Sequence, residues 1–589
     1  MNIANTVSLL GGLAFFLFGM SLLGEGLKRV AGSKLEVILA KLTSNRFKGF
    51  LLGFVVTAVI QSSSATTVML VGFVNSGIMT LKQTISIIMG ANIGTTVTSW
   101  LLSTAGIDGT GSIIMKLLKP ESFTPVLAVI GFLMIAMAKN DKKKNAGSIL
   151  IGFAILMFGM ETMGASVEGL KDNAAFTNLL TMFSNNPIMG ILVGTIFTAI
   201  IQSSSASVGV LQALSLSCIV PYSTAIPVIL GMNIGTTITP IISSVSGNTD
   251  SKRVAFSCLY IKMIGVAAVA GIFYALNAFV GFDFITERAT AFNIAVVHTL
   301  FNIISTIILL PFCALIEKLA LKTIKGKKDE EEEADAFSVL DERFLDMPSF
   351  AVEKSKELVC EMAGLSNKAF GLATQLFEEF DDELFEKVRK LETKVDKYED
   401  KISTYLVQIA EKQIAARESR VVTELLHCIG DIERISDHAL NIAEVAQEIH
   451  EKKIDFSESA KADIKIITNA VAEVLGIAIT SLVDDDLDAA RRVEPLEQVI
   501  DRLKRKIKNG HITRLRQGDC TMELGFILSD LLTNYERIAD HCSNIAVCFI
   551  EMSHDSFETH EYLNRLKSSD EDTEFKEMYQ EYKAKYYME

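Results

Sequence analysis

Long stretches without a charged side chain fill the first half of the chain. A helix that crosses a bilayer needs about 20 mostly apolar residues. Uncharged stretches of that kind predict membrane helices at Met1–Gly24, Gly49–Leu81, Gln83–Ile107, Ser122–Ala138, Asn145–Met160, Met263–Phe282 and Ala289–Ile316. The longest stretch, Asn173–Thr249, contains no Asp, Glu, Lys or Arg. Because water-soluble domains almost never avoid charge for so long, the pattern predicts an all-α, polytopic membrane domain.

The residue pattern changes after Ile316, where charged positions become dense. A basic run meets an acidic run at Lys325–Asp335, which predicts a solvated linker. Beyond the linker, apolar residues recur with helical spacing and Pro and Gly are rare, which predicts soluble helices. The predicted organisation is a transmembrane domain at 1–318, a charged linker at 319–340, a cytoplasmic helical domain at 341–552 and an acidic C-terminal helix and tail at 553–589.

Composition agrees with two unlike halves. The 589 residues are 49% hydrophobic, yet the chain carries a net charge of −14. The acidic excess argues against a nucleic-acid partner, which favours basic surfaces. The eight cysteines show no CxxC spacing, so they indicate neither a disulfide framework nor a zinc knuckle. An enzyme is the weakest interpretation, because the chain has no P-loop and no nucleophile elbow, and its membrane half has no HExxH or DxD-type motif.

The membrane half is internally repeated. The segment GLAFFLFGM at 12–20 recurs as GFAILMFGM at 152–160. Two further motifs recur at nearly the same offset and keep their separation within each copy: QSSSATT at 61–67 with QSSSASV at 202–208, and GANIGTT at 90–96 with GMNIGTT at 231–237. Three motifs with a common spacing predict two copies of one unit, repeat 1 at about 5–140 and repeat 2 at about 145–318.

Basic residues differ between equivalent segments of the two copies. Six Lys or Arg residues lie between 28 and 48, after the first helix, whereas the matching segment 165–190 contains only Lys171. Lys and Arg collect on the cytoplasmic side of a membrane. The imbalance therefore predicts that the copies have inverted topology, as in many secondary transporters, with the C-terminal domain in the cytoplasm.

Each QSSS motif places four polar side chains at the centre of a long apolar stretch. Such a run predicts two short helices that meet at a break, because Ser favours helix caps and irregular backbone at membrane depth must line a cavity or lie inside protein. A helix that begins near Ser63 presents free N–H groups to an anion. Hydroxyl and amide groups also offer oxygens to a cation. The alternative is that these serines only mediate helix packing.

The paired QSSS motifs resemble those of the sodium/phosphate cotransporter family, whose bacterial members often carry a PhoU-like domain. The resemblance implies that both motifs line sites for phosphate and sodium: Gln61, Ser62, Ser63, Ser64, Gln202, Ser203, Ser204 and Ser205. The repeat and the chemistry of hydroxyls and amides add further candidates: Thr66, Asn92, Thr95, Thr96, Asn233, Thr236 and Thr237. Because Thr66-Thr67 corresponds to Ser207-Val208, the ion sites of the two halves are expected to differ.

The cytoplasmic half also repeats. LETKVD at 391–396 recurs as LEQVID at 496–501, and IERISDHALN at 432–441 recurs as YERIADHCSN at 535–544. These repeats predict two antiparallel three-helix bundles that resemble the PhoU family. Each motif holds like charges at i and i+4, which repel one another. The resemblance implies that they bind a divalent or transition-metal ion, through Glu392, Asp396, Glu433, Asp437, Glu497, Asp501, Glu536 and Asp540. The alternative is a solvated acidic face with Arg434 and Arg537 as counter-ions.

The function expected from these features is sodium-coupled transport of inorganic phosphate across the cytoplasmic membrane by alternating access. Neither Gly49–Leu81 nor Asn173–Thr249 contains Lys or Arg, and helix N-termini supply only about half a positive charge each. A mobile cation, sodium, should therefore accompany the anion. Phosphate, sodium and membrane lipid are the expected partners, while a homodimer and a cytoplasmic regulatory partner stay open. The alternatives are a membrane phosphate sensor, a phosphate exporter and a channel.

Overall fold

The computed structural model describes residues 3–31, 45–106, 120–138, 140–168, 182, 184, 186–217, 220–325, 336–412, 414, 416–553 and 573–587. Helices dominate this part of the chain, and one isolated β-bridge joins Pro221 to Arg288. The chain divides into two compact units, Met1–Arg343 and Phe344–Glu589. Residues 32–44 and 169–181, which belong to the two segments compared above to predict topology, lie outside the described residues. The acidic run at 329–335 lies outside them as well.

The helices of the first unit follow the two copies of the repeat. The first copy contains α1 (Ile3–Ala31), α2 (Arg46–Ile60), α3 (Ser63–Asn75), α4 (Leu81–Gly94), α5 (Thr96–Ser103) and α6 (Pro120–Met137). The second copy contains α7 (Asp141–Val167), α8 (Pro187–Ile201), α9 (Ser204–Ser217), α10 (Tyr222–Gly235), α11 (Ile238–Ser244) and α12 (Thr249–Val280). Two more helices complete the unit, α13 (Ala291–Leu309) and α14 (Cys313–Thr323).

Among the described residues of the first unit, six segments are long and apolar enough to cross a membrane: Ile3–Val30, Leu81–Gly106, Lys142–Val167, Tyr222–Ser244, Thr249–Val280 and Ala291–Thr323. The polytopic helical prediction is therefore confirmed. One predicted boundary was wrong. The stretch Met263–Phe282 is the second part of α12, which begins fourteen residues earlier at Thr249 and holds Lys262 in its interior. Because the predicted helix was an uncharged stretch, it began directly after Lys262.

The first helices of the two copies pack against each other in an antiparallel direction. A Cβ added to Gly19 of α1 would lie 2.3 Å from the backbone nitrogen of Leu156, and one added to Gly159 of α7 would lie 2.4 Å from that of Phe16. Residue numbers rise along one helix as they fall along the other. Only glycine permits so close an approach. This contact explains why both copies of the first motif contain two glycines at the same spacing.

Equivalent glycines also hold α2 against α4 and α8 against α10. A Cβ on Gly90 would lie 1.9 Å from the carbonyl oxygen of Phe50, and one on Gly231 would lie 1.9 Å from that of Ile191. These two glycines open the GANIGTT and GMNIGTT motifs. These glycines are therefore needed for close packing rather than for an unusual backbone conformation. The packing brings each of the two motifs against the helix that precedes a QSSS motif.

The end of the first unit folds back on its own helices. Residues 336–343, here called the strap, contact the C-terminal end of α3: the Ser76 hydroxyl donates to the Ser338 carbonyl (2.7 Å), and the Asn75 amide donates to Asp341 Oδ2 (2.8 Å). Arg343 forms an ion pair with Asp341 and donates to the Ser243 carbonyl at 3.2 Å, beside α11. The strap thus joins an element of the first copy to one of the second.

The second unit consists of two three-helix bundles and a terminal helix, as predicted. Its helices are α15 (Pro348–Gln375), α16 (Asp382–Ala410), α17 (Ala416–Lys452), α18 (Glu458–Asp484), α19 (Leu487–Gln517), α20 (Met522–Ser553) and α21 (Thr573–Lys585). α18 is also apolar enough to be a seventh candidate span. However, Ile467, Val471, Val474 and Leu475 are fully buried within its own bundle, so its apolar face is already covered by protein.

Candidate functional site

The first QSSS motif is a break between two helices. α2 ends at Gln61, whose left-handed conformation (φ 60°) turns the chain and whose N–H donates to the Thr57 carbonyl (2.8 Å). Ser62 caps the next helix, because its Oγ accepts from the Ala65 N–H (3.1 Å). α3 then begins at Ser63. A non-glycine residue with positive φ carries backbone strain and marks a site that its surroundings hold in place.

The second QSSS motif repeats this geometry. Gln202 ends α8 with φ 62°, and its N–H donates to the Thr198 carbonyl (2.7 Å). The Ser203 Oγ accepts from the Ala206 N–H (3.2 Å), and α9 begins at Ser204. Both breaks predicted from the sequence are therefore confirmed, and in each the first free N–H groups belong to the motif serines.

The two breaks touch. The Ser64 hydroxyl of the first motif donates to the Gln202 carbonyl of the second (3.2 Å). Thr98 of α5 donates to Gln61 Oε1 (2.7 Å), and the Ser205 hydroxyl lies 3.5 Å from the same threonine oxygen. Residues that lie far apart in the sequence thus form one cluster at the junction of the two copies. Gln61 is 9% exposed, while Gln202 is exposed.

The NIGTT motifs present oxygens whose protons are already used. The four threonine hydroxyls each donate to a backbone carbonyl of the preceding turn: Thr95 to Ala91 (3.0 Å), Thr96 to Ile93 (2.7 Å), Thr236 to Asn233 (2.8 Å) and Thr237 to Ile234 (2.8 Å). A hydroxyl in this state offers only lone pairs to a further partner. Asn92 and Asn233 are buried beside them. Such oxygens suit a hard cation better than an anion.

Two threonines of this cluster were missed by the sequence analysis. Thr98 contacts Gln61, and Thr239 lies 3.5 Å from the carbonyl of Gln202. Both stand two residues after the last threonine of NIGTT, so the repeat continues as GTTVT and GTTIT. Extending the comparison of the two copies by two residues would have found them.

The two breaks differ in how their hydroxyls pair. In the first copy Thr57 donates to Thr66 Oγ1 (3.0 Å). Thr66 and its counterpart Ser207 both donate to a backbone carbonyl, Thr66 to Ser62 (3.0 Å) and Ser207 to Ser203 (2.9 Å). In the second copy, however, the buried hydroxyl of Thr198 has no hydrogen-bond partner among the described residues.

A second layer of polar side chains lies behind the breaks. Ser99 of α5 contacts His298 Nδ1 (2.8 Å), and its carbonyl accepts from Gln212 Nε2 (3.0 Å). On α12, Lys262 donates to Asn233 Oδ1 (3.4 Å). None of these four side chains, Ser99, Gln212, Lys262 and His298, was a sequence candidate. Lys262 lies outside the two uncharged stretches on which the sequence argument rests, and it places a lysine beside the second NIGTT motif.

In the second unit, one of the two predicted carboxylate groups converges. Single oxygens of Glu392, Asp396 and Asp437 all lie within 4.8 Å of one another. Burial, together with the charge of Asp437, raises the pKa of Glu433 to about 7. Burial and Asp396 raise the pKa of Glu392. Neighbouring carboxylates raise one another's pKa because their negative charges repel, and in the deprotonated form they provide the oxygen ligands that a divalent cation needs.

The equivalent group of the second bundle is neutralised by basic side chains. Glu536 forms an ion pair with Lys504, and Asp540 lies 3.9 Å from Arg537. Among the described residues, Glu497, Asp501, Glu536 and Asp540 do not form a metal-type group. In the first bundle Arg434 also approaches Glu433 (3.6 Å), so a basic side chain lies beside the acidic residues there as well.

The two motif histidines meet between the bundles. The rings of His438 and His541 stack with centroids 5.7 Å apart. His438 Nδ1 contacts Asn534 Oδ1 (2.8 Å), and His541 Nδ1 contacts Asp431 Oδ1 (2.7 Å). Each histidine thus pairs with a residue of the other bundle, which joins α17 to α20.

Comparisons with known proteins match each unit separately. The model of the Na+/Pi-cotransporter family matches residues 15–165 and 155–287, and that of the PhoU domain matches 359–446 and 464–548. Each model therefore matches twice.

Three relatives span different parts of the chain. A Bacillus subtilis protein named "Uncharacterized protein YqeW" is 32% identical over 54% of this chain and 97% of its own length. The Salmonella typhimurium protein named "Putative inorganic phosphate export protein YjbB" is 23% identical over 94% of this chain and 99% of its own. Human sodium-dependent phosphate transport protein 2B is 35% identical over 17% of this chain and 15% of its own.

Proposed function

The chain belongs to the Na+/Pi-cotransporter family and carries PhoU domains, and on this basis we propose that it moves inorganic phosphate across the cytoplasmic membrane together with sodium, by alternating access. The proposed substrate site is the junction of the two helix breaks. Gln61, Ser63 and Ser64 bind from the first copy, and the matching residues Gln202, Ser204 and Ser205 bind from the second.

The contact between the breaks is the observation that carries this proposal. Ser64 reaches the Gln202 carbonyl at 3.2 Å, so the N-terminal ends of α3 and α9, which begin at Ser63 and Ser204, lie close to each other. Two helix N-termini together supply about one positive charge and several N–H donors, which suits an oxyanion. The surrounding threonine and asparagine oxygens would hold sodium.

The antiparallel packing of α1 against α7 supports an inverted arrangement of the two copies in the membrane. In an inverted repeat the two copies can exchange conformations, so that the site opens first to one side of the membrane and then to the other. The second unit is proposed to lie in the cytoplasm, to regulate transport and to bind a divalent cation at Glu392, Asp396 and Asp437.

Export is the second candidate function, because the name of a relative that covers most of the chain describes phosphate export. The direction of net flux in a coupled carrier follows the gradients of its substrates, so both directions are compatible with the same site. A membrane phosphate sensor would bind phosphate at the breaks without moving it.

Reconstitution into liposomes tests the proposal. Radiolabelled phosphate uptake is measured with sodium gradients of either direction, and with choline in place of sodium. A coupled carrier accumulates phosphate only with an inward sodium gradient and releases preloaded phosphate when the gradient is reversed. Equal uptake in sodium and choline would refute coupling. Phosphate binding without any flux would favour the sensor.

A further inference from the structure

Lys262 is a buried lysine in the interior of a membrane helix. Its side chain belongs to a residue only 5% exposed, and α12 surrounds it with apolar residues such as Ile261 and Val266. The ammonium donates to Asn233 Oδ1 at 3.4 Å, although an ammonium has three donors. In the part of the chain that the structure describes, no carboxylate lies within electrostatic range of it. A buried charge in this state requires a counter-charge or strong oxygen ligands.

Asn233 is oriented toward the lysine. Its amide nitrogen donates to the Ile229 carbonyl (3.0 Å), which leaves the amide oxygen as the atom that faces Lys262. The same oxygen belongs to the NIGTT motif, whose threonine hydroxyls have already donated their protons to backbone carbonyls. The ammonium therefore stands beside an amide oxygen of the kind that could otherwise coordinate a cation, in a motif that carries further acceptor oxygens.

A second buried polar atom near Lys262 is also unsatisfied. His298 of α13 is fully buried and lies within electrostatic range of Lys262. Its Nδ1 contacts the Ser99 hydroxyl, but its Nε2 has no hydrogen-bond partner among the described residues. The region between α10, α12 and α13 thus holds an under-coordinated cation and an unpaired ring nitrogen in apolar surroundings.

We propose that Lys262 is the resident cation of the second repeat: its ammonium occupies, beside Asn233, the position that a sodium ion would take, and its charge helps to hold the transported anion. This inference rests on the proposed function for the anion, but the cation site can be tested without phosphate. It implies that the second copy contributes one fixed positive charge, so fewer sodium ions are needed for each phosphate than two identical copies would require.

The first test measures sodium binding in the absence of phosphate. The purified full chain and the variant Lys262→Met are heated in increasing sodium, with the same concentrations of choline as reference. Methionine has a similar length, and replacing a buried charge by an apolar side chain is commonly tolerated. We expect Lys262→Met to show an additional sodium-dependent rise in melting temperature, because sodium can then bind the vacated oxygens. Lys262→Arg should behave like the wild type.

The second test measures phosphate binding. Lys262→Met should weaken phosphate binding at low sodium by about tenfold or more, because one buried charge is lost. Higher sodium should restore binding, with a dependence on sodium that is steeper by about one ion. Lys262→Arg should retain wild-type affinity. The matched control is Lys322→Met, which removes an exposed lysine of α14 and should change neither measurement.

The outcomes separate this inference from the transport proposal. A Met variant with unchanged responses to sodium and phosphate would overturn the resident cation and leave the transporter assignment intact. If the Met variant does not fold, Lys262→Gln, which keeps a hydrogen-bond donor for Asn233 but carries no charge, takes its place in both tests, and unchanged responses to sodium and phosphate in Lys262→Gln would overturn the resident cation. Absence of phosphate binding in the wild type would overturn the proposed function, while the melting measurement would still decide whether sodium replaces the ammonium.

Discussion

The strap offers a prediction whose magnitude follows from its contacts. Asp341 and Arg343 form an ion pair with side chains 7% and 13% exposed. The Asp341 carboxylate also accepts from the Arg343 N–H (2.9 Å) and from the Asn75 amide (2.8 Å). Replacing Asp341 by Ala removes all of these acceptors and leaves the largely buried guanidinium of Arg343 with the Ser243 carbonyl (3.2 Å) but without a counter-charge. Breaking a buried ion pair in this way costs about 3–5 kcal/mol.

This cost should appear as local release, because the strap is a short peripheral segment of the first unit and the helices do not depend on it. A loss of about 3 kcal/mol corresponds to more than a hundredfold change in the equilibrium between bound and released strap. Hydrogen exchange measured by mass spectrometry should therefore speed up by about this factor in 336–343. The control is Glu342→Ala, which removes an exposed carboxylate of the same segment. Equal exchange in the wild type and Asp341→Ala would refute the reasoning.

Release of the strap should also raise transport. The strap connects the end of α3 in the first copy, at Asn75, with the Ser243 carbonyl beside α11 in the second. Alternating access moves the copies relative to each other, so a bridge between them favours one state. We expect faster phosphate uptake into liposomes with Asp341→Ala and no change with Glu342→Ala. Faster exchange combined with unchanged uptake would show that the strap does not restrain the cycle.

Three further predictions concern the breaks, the helix packing and the second unit. Ser63→Ala and Ser204→Ala should each lower phosphate uptake by about tenfold or more, because a hydrogen bond to a charged group is lost. The melting temperature should change little in either variant. Ser86→Ala is the control, and wild-type uptake in either motif variant would contradict a substrate role for that serine. Gly231→Ala should destabilise the first unit by about 3 kcal/mol, because the added Cβ would lie 1.9 Å from the Ile191 carbonyl oxygen. The control Gly271→Ala should be tolerated, since a Cβ there has nothing within 4 Å. Equal melting temperatures of the two variants would contradict the packing. The purified full chain should carry a divalent cation by elemental analysis that Asp437→Ala loses and Asp540→Ala keeps, and loss in both variants or in neither would contradict the asymmetry. The pKa of Glu433 is raised to about 7 in the folded state, so its bound proton stabilises the fold at low pH and this stabilisation is lost as the pH rises through 7. Divalent cations should therefore raise the melting temperature more above pH 7 than below it.

The local geometry of the breaks could be predicted from sequence because it depends on local chemistry. Polar side chains in an apolar helix and serines suited to N-caps indicate a break near 61 and 202, and the structure has left-handed glutamines at both positions. What could not be predicted was the meeting of the two breaks. The contact of Ser64 with Gln202 joins residues 138 positions apart, and nothing in either motif specifies its partner.

The unpredicted features depend on contacts between helices that the motifs do not encode. Lys262 was not assigned to a membrane helix because helices were predicted from uncharged stretches, although a lysine inside a membrane helix is tolerated when oxygens face it. In the second unit the carboxylates of both bundles fit the same motif, yet only the first group converges. Lys504 decides the difference by pairing with Glu536, and the motif does not reveal which basic side chain lies across the helix interface.

Under the proposed function, the differences between the two copies fit what a transport cycle requires. Alternating access needs two end states of similar free energy, and both copies contain the same left-handed break. Identical side chains would also make the copies bind the same ions. Thr66 pairs with Thr57 in the first copy, whereas in the second Thr198 is left without a partner among the described residues and Lys262 stands beside Asn233. The backbone of the breaks is therefore alike in the two copies, while a few side chains differ where the proposed function places the ions. A carrier built this way can bind sodium at one copy and keep a fixed charge at the other, so that each state differs in its ion affinity and the flux of phosphate becomes dependent on the sodium gradient.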